Sequence, residues 1–182
     1  MNLPNYFLAD LPPEAALSPT MIRAAADSLK QNRQKFLLPR STREIVEILC
    51  AVGAEWLRAD SPFRRLALEL GPAETGFSRP VLERGLDTLF AHFTPENFRR
   101  LLEQELGHAD RLDQFAADSP DAAQHSALAL GPELRVHVAA GNIPNPTLMS
   151  ITLGLLTRSA QFVKCASGAA LLPRLFAHSD RK

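Results

Sequence analysis

The sequence predicts an α/β fold, with a mainly helical amino-terminal region leading into the first βαβ unit of a parallel sheet. Three observations carry that prediction. Residues 134–165 read as strand, small-residue loop, apolar helix and second strand. Between Ser18 and Gly107, helix starts and stops recur around apolar residues at three- and four-residue steps. A polar, Ala- and Asp-rich stretch, Asp110 to Ser126, separates the two patterns, and the character of the chain changes at about Leu128.

Residues Met1 to Pro19 are rich in proline and read as an irregular arm anchored by Leu3, Tyr6, Phe7, Leu8 and Leu11. Ser18-Pro19 starts a helix over Thr20 to Phe36, which Pro39 ends. Ser41-Thr42-Arg43-Glu44 is a capping box for a helix from Thr42 to Ala59, with Ile45, Ile48, Leu49, Val52 and Trp56 on one face. Ser61-Pro62 opens a third helix that Gly71-Pro72 is expected to close. Gly76 to Pro80 turns into a helix reaching about His92, and Thr94-Pro95 caps another that stops at Gly107. The connector is expected to attach through Leu112 and Phe115.

Leu128 to Leu130 and Leu134 to Val138 suggest strands around a turn at Gly131-Pro132. The second of these strands ends in Ala139-Ala140-Gly141, small enough for close backbone approach, and Pro144 and Pro146 prevent its continuation. Asn145 is placed as an N-cap and Pro146 as the first helical residue. Thr147 to Thr157 is apolar on nearly every side, as a fully buried helix would be. Gln161 to Cys165 reads as the partner strand, Cys165 to Ala169 as a second small-residue loop, and Leu171 to His178 as a last helix. Open α/β sheets bind ligands at the carboxyl ends of their strands, so the two loops are the place to expect function.

Composition narrows the classes. Twenty basic and twenty acidic residues cancel, which gives no indication of a nucleic-acid or acidic-membrane partner. Two cysteines far apart in apolar segments, Cys50 and Cys165, fit a reducing compartment and a soluble cytoplasmic protein. No apolar run is long enough to span a bilayer. The five histidines show no metal-ligand spacing, and no Walker loop or nucleophile elbow is present. His137, alternating within a strand, reads as a packed residue rather than a ligand.

Ala140-Gly141-Asn142-Ile143-Pro144 and Gln161-Phe162-Val163-Lys164-Cys165-Ala166-Ser167, at this separation, resemble the coenzyme-binding start of the aldehyde dehydrogenase superfamily. More specifically they resemble the acyl-CoA reductases of the LuxC type, the fatty-acid reductase subunits of bacterial bioluminescence and their relatives. Gly76-Phe77-Ser78, the helix with Leu86-Asp87, and Leu102 to Leu112 extend the resemblance from roughly Thr42 onward. It implies an aldehyde-dehydrogenase-like fold, with a helical region over 1–126 and the start of a Rossmann-like NADP-binding domain over 127–182. It implies NADPH-dependent reduction of an acyl-CoA or acyl-protein thioester to a fatty aldehyde through a cysteine thioester. Asn142 matches the family's oxyanion asparagine, although an Asn capping its own turn is the plain alternative. Lys164 matches the lysine that reaches the adenosine ribose or its phosphate. Gly141, Ile143 and Pro144 are expected to approach the cofactor closely, and Ser167, a neutral hydroxyl, favours NADP over NAD.

The family is more than twice this long, and its nucleophilic cysteine and catalytic domain come later. The expectation is therefore an incomplete reductase lacking its nucleophile, with Cys165 and Cys50 read as core residues. The rival readings are a non-catalytic nucleotide-binding module, one that self-associates or docks on an acyl-transferring partner through a sheet edge, and a truncated product without function.

Overall fold

The computed structural model describes residues 17–117, 125–141 and 145–179. It is a mostly helical α/β structure with a small parallel sheet. Of the expected arm over Met1 to Pro19, residues 1–16 lie outside the described residues, and Pro19 already belongs to the first helix.

Helix α1 (Pro19–Asn32) starts where predicted, with Ser18 Oγ accepting from the Met21 amide at 3.2 Å, and continues into a π-helical turn, Arg33–Leu37. Helix α2 (Thr42–Leu57) carries the capping box in both directions. Glu44 accepts from the Ser41 amide at 2.7 Å, and Ser41 Oγ accepts from the Glu44 amide at 3.2 Å. Helix α3 (Pro62–Thr75) corrects the sequence reading, because Gly71-Pro72 does not close it. A proline near the carboxyl end of a helix removes one amide donor, and the turn survives that loss when its other ties hold. Here Thr75 Oγ1 donates to the Gly71 carbonyl at 2.8 Å, and the helix closes at left-handed Gly76. Helices α4 (Arg79–Phe90) and α5 (Pro95–Leu106) follow as expected, the latter capped by Thr94 and ended by left-handed Gly107.

The connector is less irregular than its composition suggests. A 3-10 turn, Ala109–Leu112, leads to a two-residue antiparallel ladder between β1 (Ala116–Ala117) and β2 (Ser126–Ala127). Leu112 is buried as predicted, but Phe115 is 69% exposed and attaches nothing. Phe115 lies past the bend at Asp113, whose carboxylate is drawn inward to a buried arginine. Leu128 to Leu130 belongs to no strand.

Strands β3 (Leu134–Val138) and β4 (Ala160–Lys164) pair in parallel, in register from Leu134–Ala160 to Val138–Lys164, with α6 (Asn145–Leu156) as the crossover. The helix already includes Asn145, the predicted cap, and so begins one residue before the predicted first helical residue, Pro146. The side-chain amide of Asn145 donates to the Gly85 carbonyl of α4 at 3.1 Å instead of closing its own turn. Helix α6 contacts β4 on one side and α2 and α4 on the other, which explains its all-round apolar sequence. Helix α7 (Leu171–Ser179) packs against α3 and α6. An aromatic cluster ties the helices together. Trp56 stacks on Phe90 at 4.9 Å, Phe90 meets Phe93 at 5.1 Å, and Phe176 of α7 lies 6.0 Å from Phe90. The indole of Trp56 donates to Ser179 Oγ at 2.8 Å, so the end of α7 is pinned to the middle of the helical core.

The corner between α6 and β4 is held by Arg158, a buried residue in the left-handed region at φ 51°. Its guanidinium donates to the carbonyls of Arg40 and Leu112, each at 2.7 Å, to Thr42 Oγ1 at 3.1 Å, and to the Asp113 carboxylate. Asp113 in turn accepts from the Thr42 amide at 3.1 Å, and Arg33 donates to the Arg158 carbonyl at 2.6 Å. Removing the fork leaves buried acceptors unpaired, so Arg158→Ala is expected to cost about 2–4 kcal/mol in denaturant unfolding. Arg158→Lys is expected to recover less than half of that loss, because an ammonium cannot span the four acceptors that the planar guanidinium reaches.

Candidate functional site

The site predicted from sequence lies where β3 and β4 end. The Ala139 amide donates to the Lys164 carbonyl at 2.9 Å, so the ladder extends one residue beyond Val138 before the first loop leaves it. A Cβ on Gly141 would stand 3.0 Å from Cβ of Ala166, which places the two small-residue loops side by side with no room for a larger residue. Lys164 is exposed at the rim, and its ammonium makes no ion pair with a described residue. Ser167 is exposed on the second loop. Gly141 lies on the first loop, Lys164 at the end of β4 and Ser167 on the second loop, whereas Asn142, Ile143 and Pro144 lie outside the described residues.

An exposed cation at a strand end, without an ion-pair partner among the described residues, is the kind of group that can meet a phosphate. The second loop turns at Gly168, in the left-handed region at φ 72°, and closes with the Ala169 amide on the Ala166 carbonyl at 3.1 Å. Its exit is held by a residue that sequence reading passed over. The Glu74 carboxylate accepts from the amides of Ala170 at 2.5 Å and Leu171 at 2.9 Å. Glu74 was missed because Gly71-Pro72 was read as the end of its helix.

Neither cysteine is activated. Burial pushes the Cys165 thiol up, and the nearby Glu74 carboxylate pushes it further, against the opposing influence of Arg174 and Lys164. Burial also raises the Cys50 thiol, with Glu47 adding to it. Among the described residues, no group of three His, Cys, Asp or Glu could hold a metal ion.

Behind the loops, His137 fixes α6 to the sheet. It is 9% exposed, and its ring nitrogens lie 2.7 Å from Ser150 Oγ and 3.0 Å from Gln161 Oε1. Because an amide oxygen only accepts, Nε2–H donates to Gln161 and Nδ1 accepts from the Ser150 hydroxyl. Gln161 completes the clip by donating to the Ile151 carbonyl at 3.1 Å. On the other face of the strand the alternate residues Val136 and Val138 are 62% and 75% exposed. A separate cavity of about 650 Å³ lies at the opposite end of the strands, between Arg33, Arg40, Leu130 and Arg158. Four hydrogen bonds already engage the guanidinium of Arg158 there, so the cavity belongs to the corner of the fold and not to the loops.

Burial is the main cause holding the His137 imidazole below its ordinary pKa, with Arg135 adding and the Gln161 hydrogen bond opposing. The unfolded chain therefore binds the proton more readily. The stability contributed by the neutral ring is full above about pH 6.5 and declines as pH falls from there through the folded-state value. Denaturant midpoints at about pH 7.5 and about pH 5.5 are expected to differ more for the native chain than for His137→Gln, which has no such proton to take up.

Two comparisons bear on this geometry. The family profile described as acyl-CoA reductase (LuxC) matches residues 37–179, a span that contains α2 to α7 and both loops. No individual curated protein matches the chain. The match covers most of the sequence and includes the motifs at Ala140 and Lys164 that carried the resemblance, and the chain belongs to the acyl-CoA reductase (LuxC) family.

Proposed function

We propose that this chain forms the cofactor-binding part of an NADPH-dependent acyl-CoA reductase, reducing a fatty acyl thioester to an aldehyde. The observation that supports it best is the pair of touching small-residue loops with Lys164 exposed at their rim and in no ion pair among the described residues, within a chain of this family. In this reading the helical region over 1–126 supports an aldehyde-dehydrogenase-like, Rossmann-type nucleotide domain that begins at 127.

Bound NADPH would supply the hydride. The rest of the chemistry at this end of the sheet falls to the protein. Lys164 pairs with the phosphate on the adenosine ribose, and Ser167 leaves room for that phosphate by adding no negative charge. By the family resemblance, Gly141, Ile143 and Pro144 would be the residues that approach the cofactor closely. Asn142 donates its side-chain N–H to the acyl oxygen as that oxygen gains negative charge. One preorganised donor of this kind lowers the barrier by about 3–4 kcal/mol. The acyl-accepting thiolate comes from outside residues 1–182, since burial and Glu74 both hold Cys165 in its thiol form. The acyl donor is a CoA or protein-bound thioester, in keeping with the family, and the setting is cytoplasmic. Among the described residues no helix is long and apolar enough to cross a membrane.

One observation favours a second reading. Val136 and Val138 present an apolar, unpaired face, which suits a non-catalytic nucleotide-binding module that self-associates or docks on an acyl-transferring partner. Sedimentation at increasing concentration separates the two, because the docking reading requires association that Val138→Lys abolishes.

Fluorescence titration tests the principal reading. NADPH is expected to bind saturably, more tightly than NADH, and Lys164→Ala is expected to weaken it roughly tenfold or more, as loss of a charge-assisted phosphate contact would. Cys165→Ala should leave NADPH affinity unchanged. Equal affinity in the native chain and Lys164→Ala, or thioester-dependent NADPH oxidation that Cys165→Ala abolishes, would contradict the assignment.

A further inference from the structure

We propose that Glu74 is a positioning residue for the second cofactor loop, reaching from α3 to hold residues 165–170 against the nucleotide crevice. The inference rests on the proposed reading of those loops as the nucleotide site, and is drawn from the contacts that α3 makes with the far end of the second loop.

Helix α3 continues past Pro72 for one further turn, and Glu74 is on that turn. The turn is secured by Thr75, whose hydroxyl donates to the Gly71 carbonyl at 2.8 Å and accepts from the Phe77 amide at 3.2 Å. From there the carboxylate takes two successive amides, Ala170 at 2.5 Å and Leu171 at 2.9 Å. These donors open α7, where a helix has no internal acceptors for them and where its dipole favours negative charge. The contact spans 96 residues of sequence, so it fixes the loop relative to the helical core and not merely to its own helix. The backbone carbonyl of Glu74 also passes 3.7 Å from where a Cβ on left-handed Gly168 would lie, so α3 runs beside the loop as well as capping its end.

Two consequences follow for the crevice. The loop that carries Ser167, and that starts at Lys164, is anchored at its far end by an acceptor it cannot supply itself. In addition, the amides that open α7 would otherwise be a ready anion site at the carboxyl end of a parallel strand. An internal carboxylate fills them, which leaves Lys164 as the cation that a ligand phosphate meets. Glu74 therefore acts through the loop, on where the phosphate is held, and touches no substrate.

The test compares the native full chain with Glu74→Ala and Glu74→Gln, reading amide hydrogen exchange at Ala170 and Leu171 and the dissociation constant for NADPH. The glutamine keeps an acceptor oxygen. It is expected to stay within about threefold of the native chain on both readouts, while alanine speeds exchange and weakens NADPH by at least about tenfold, the scale of a charge-assisted hydrogen bond. Should Glu74→Ala lose its cooperative thermal transition, Glu74→Asp, with its carboxylate one methylene short, takes its place with the same expected direction. Unchanged exchange in the alanine variant would overturn the proposal, as would a loosened loop with native NADPH affinity. A native chain whose NADPH binding is absent or insensitive to Lys164→Ala would instead overturn the proposed function, and the exchange comparison alone would still decide whether Glu74 holds the loop.

Discussion

The guanidinium of Arg158 is the point on which the two kinds of structure in this chain meet. It sits at the sharp corner between α6 and β4, in a left-handed conformation that costs a non-glycine residue about 1 kcal/mol or more. Its hydrogen bonds reach the segment before α2, the first residue of α2 itself, and the turn after α5. Each of those partners comes from the helical part of the chain, while Arg158 belongs to the βαβ unit. A single planar fork thus sets where the sheet begins relative to the helices. Arg33 closes the arrangement from the other side by donating to the Arg158 carbonyl, so the π-helical turn after α1 is held at the same corner.

With the start of β4 placed in this way, its carboxyl end is placed as well, four residues further on. Helix α6 is wedged between the strands and α2, and the His137–Ser150–Gln161 clip prevents it from rotating against the sheet. Helix α7 is fixed at both ends, by Glu74 at its first amides and by Trp56 through Ser179 at its last turn. The loop between β4 and α7 therefore has little freedom at either boundary, although its small residues make it locally permissive. Such a combination suits a nucleotide site, where a preformed loop avoids the entropic cost of ordering on binding.

Much of this was legible in the sequence because the signals were local. Ser41 and Glu44, Thr94 and Gly107 mark their helix ends through contacts only a few residues apart, and the helices begin and end there. The βαβ unit was legible through Ala139 to Gly141, the apolar helix and Lys164, and the family match confirms the resemblance that those residues carried. What escaped depends on partners distant in sequence. Pro72 looks like a helix stop until Thr75 supplies the missing tie, and only the folded chain shows Glu74 beside Ala170, 96 residues away. Arg158 stands between an apolar helix and a strand, with nothing nearby in the sequence to announce four acceptors from other elements. Phe115 was taken as an anchor on its hydrophobicity alone, and Asp113 bends the chain before it can reach the core.

Amide chemical-shift mapping during titration with NADPH asks whether the nucleotide lies on the loops at the carboxyl ends of β3 and β4, as proposed. The perturbed amides are expected to cluster at residues 139–141 and 164–171, with the opposite end of the strands unmoved. Perturbations centred instead on the cavity between Arg33, Arg40 and Leu130 would contradict that placement, and would move the binding site to the other end of the sheet.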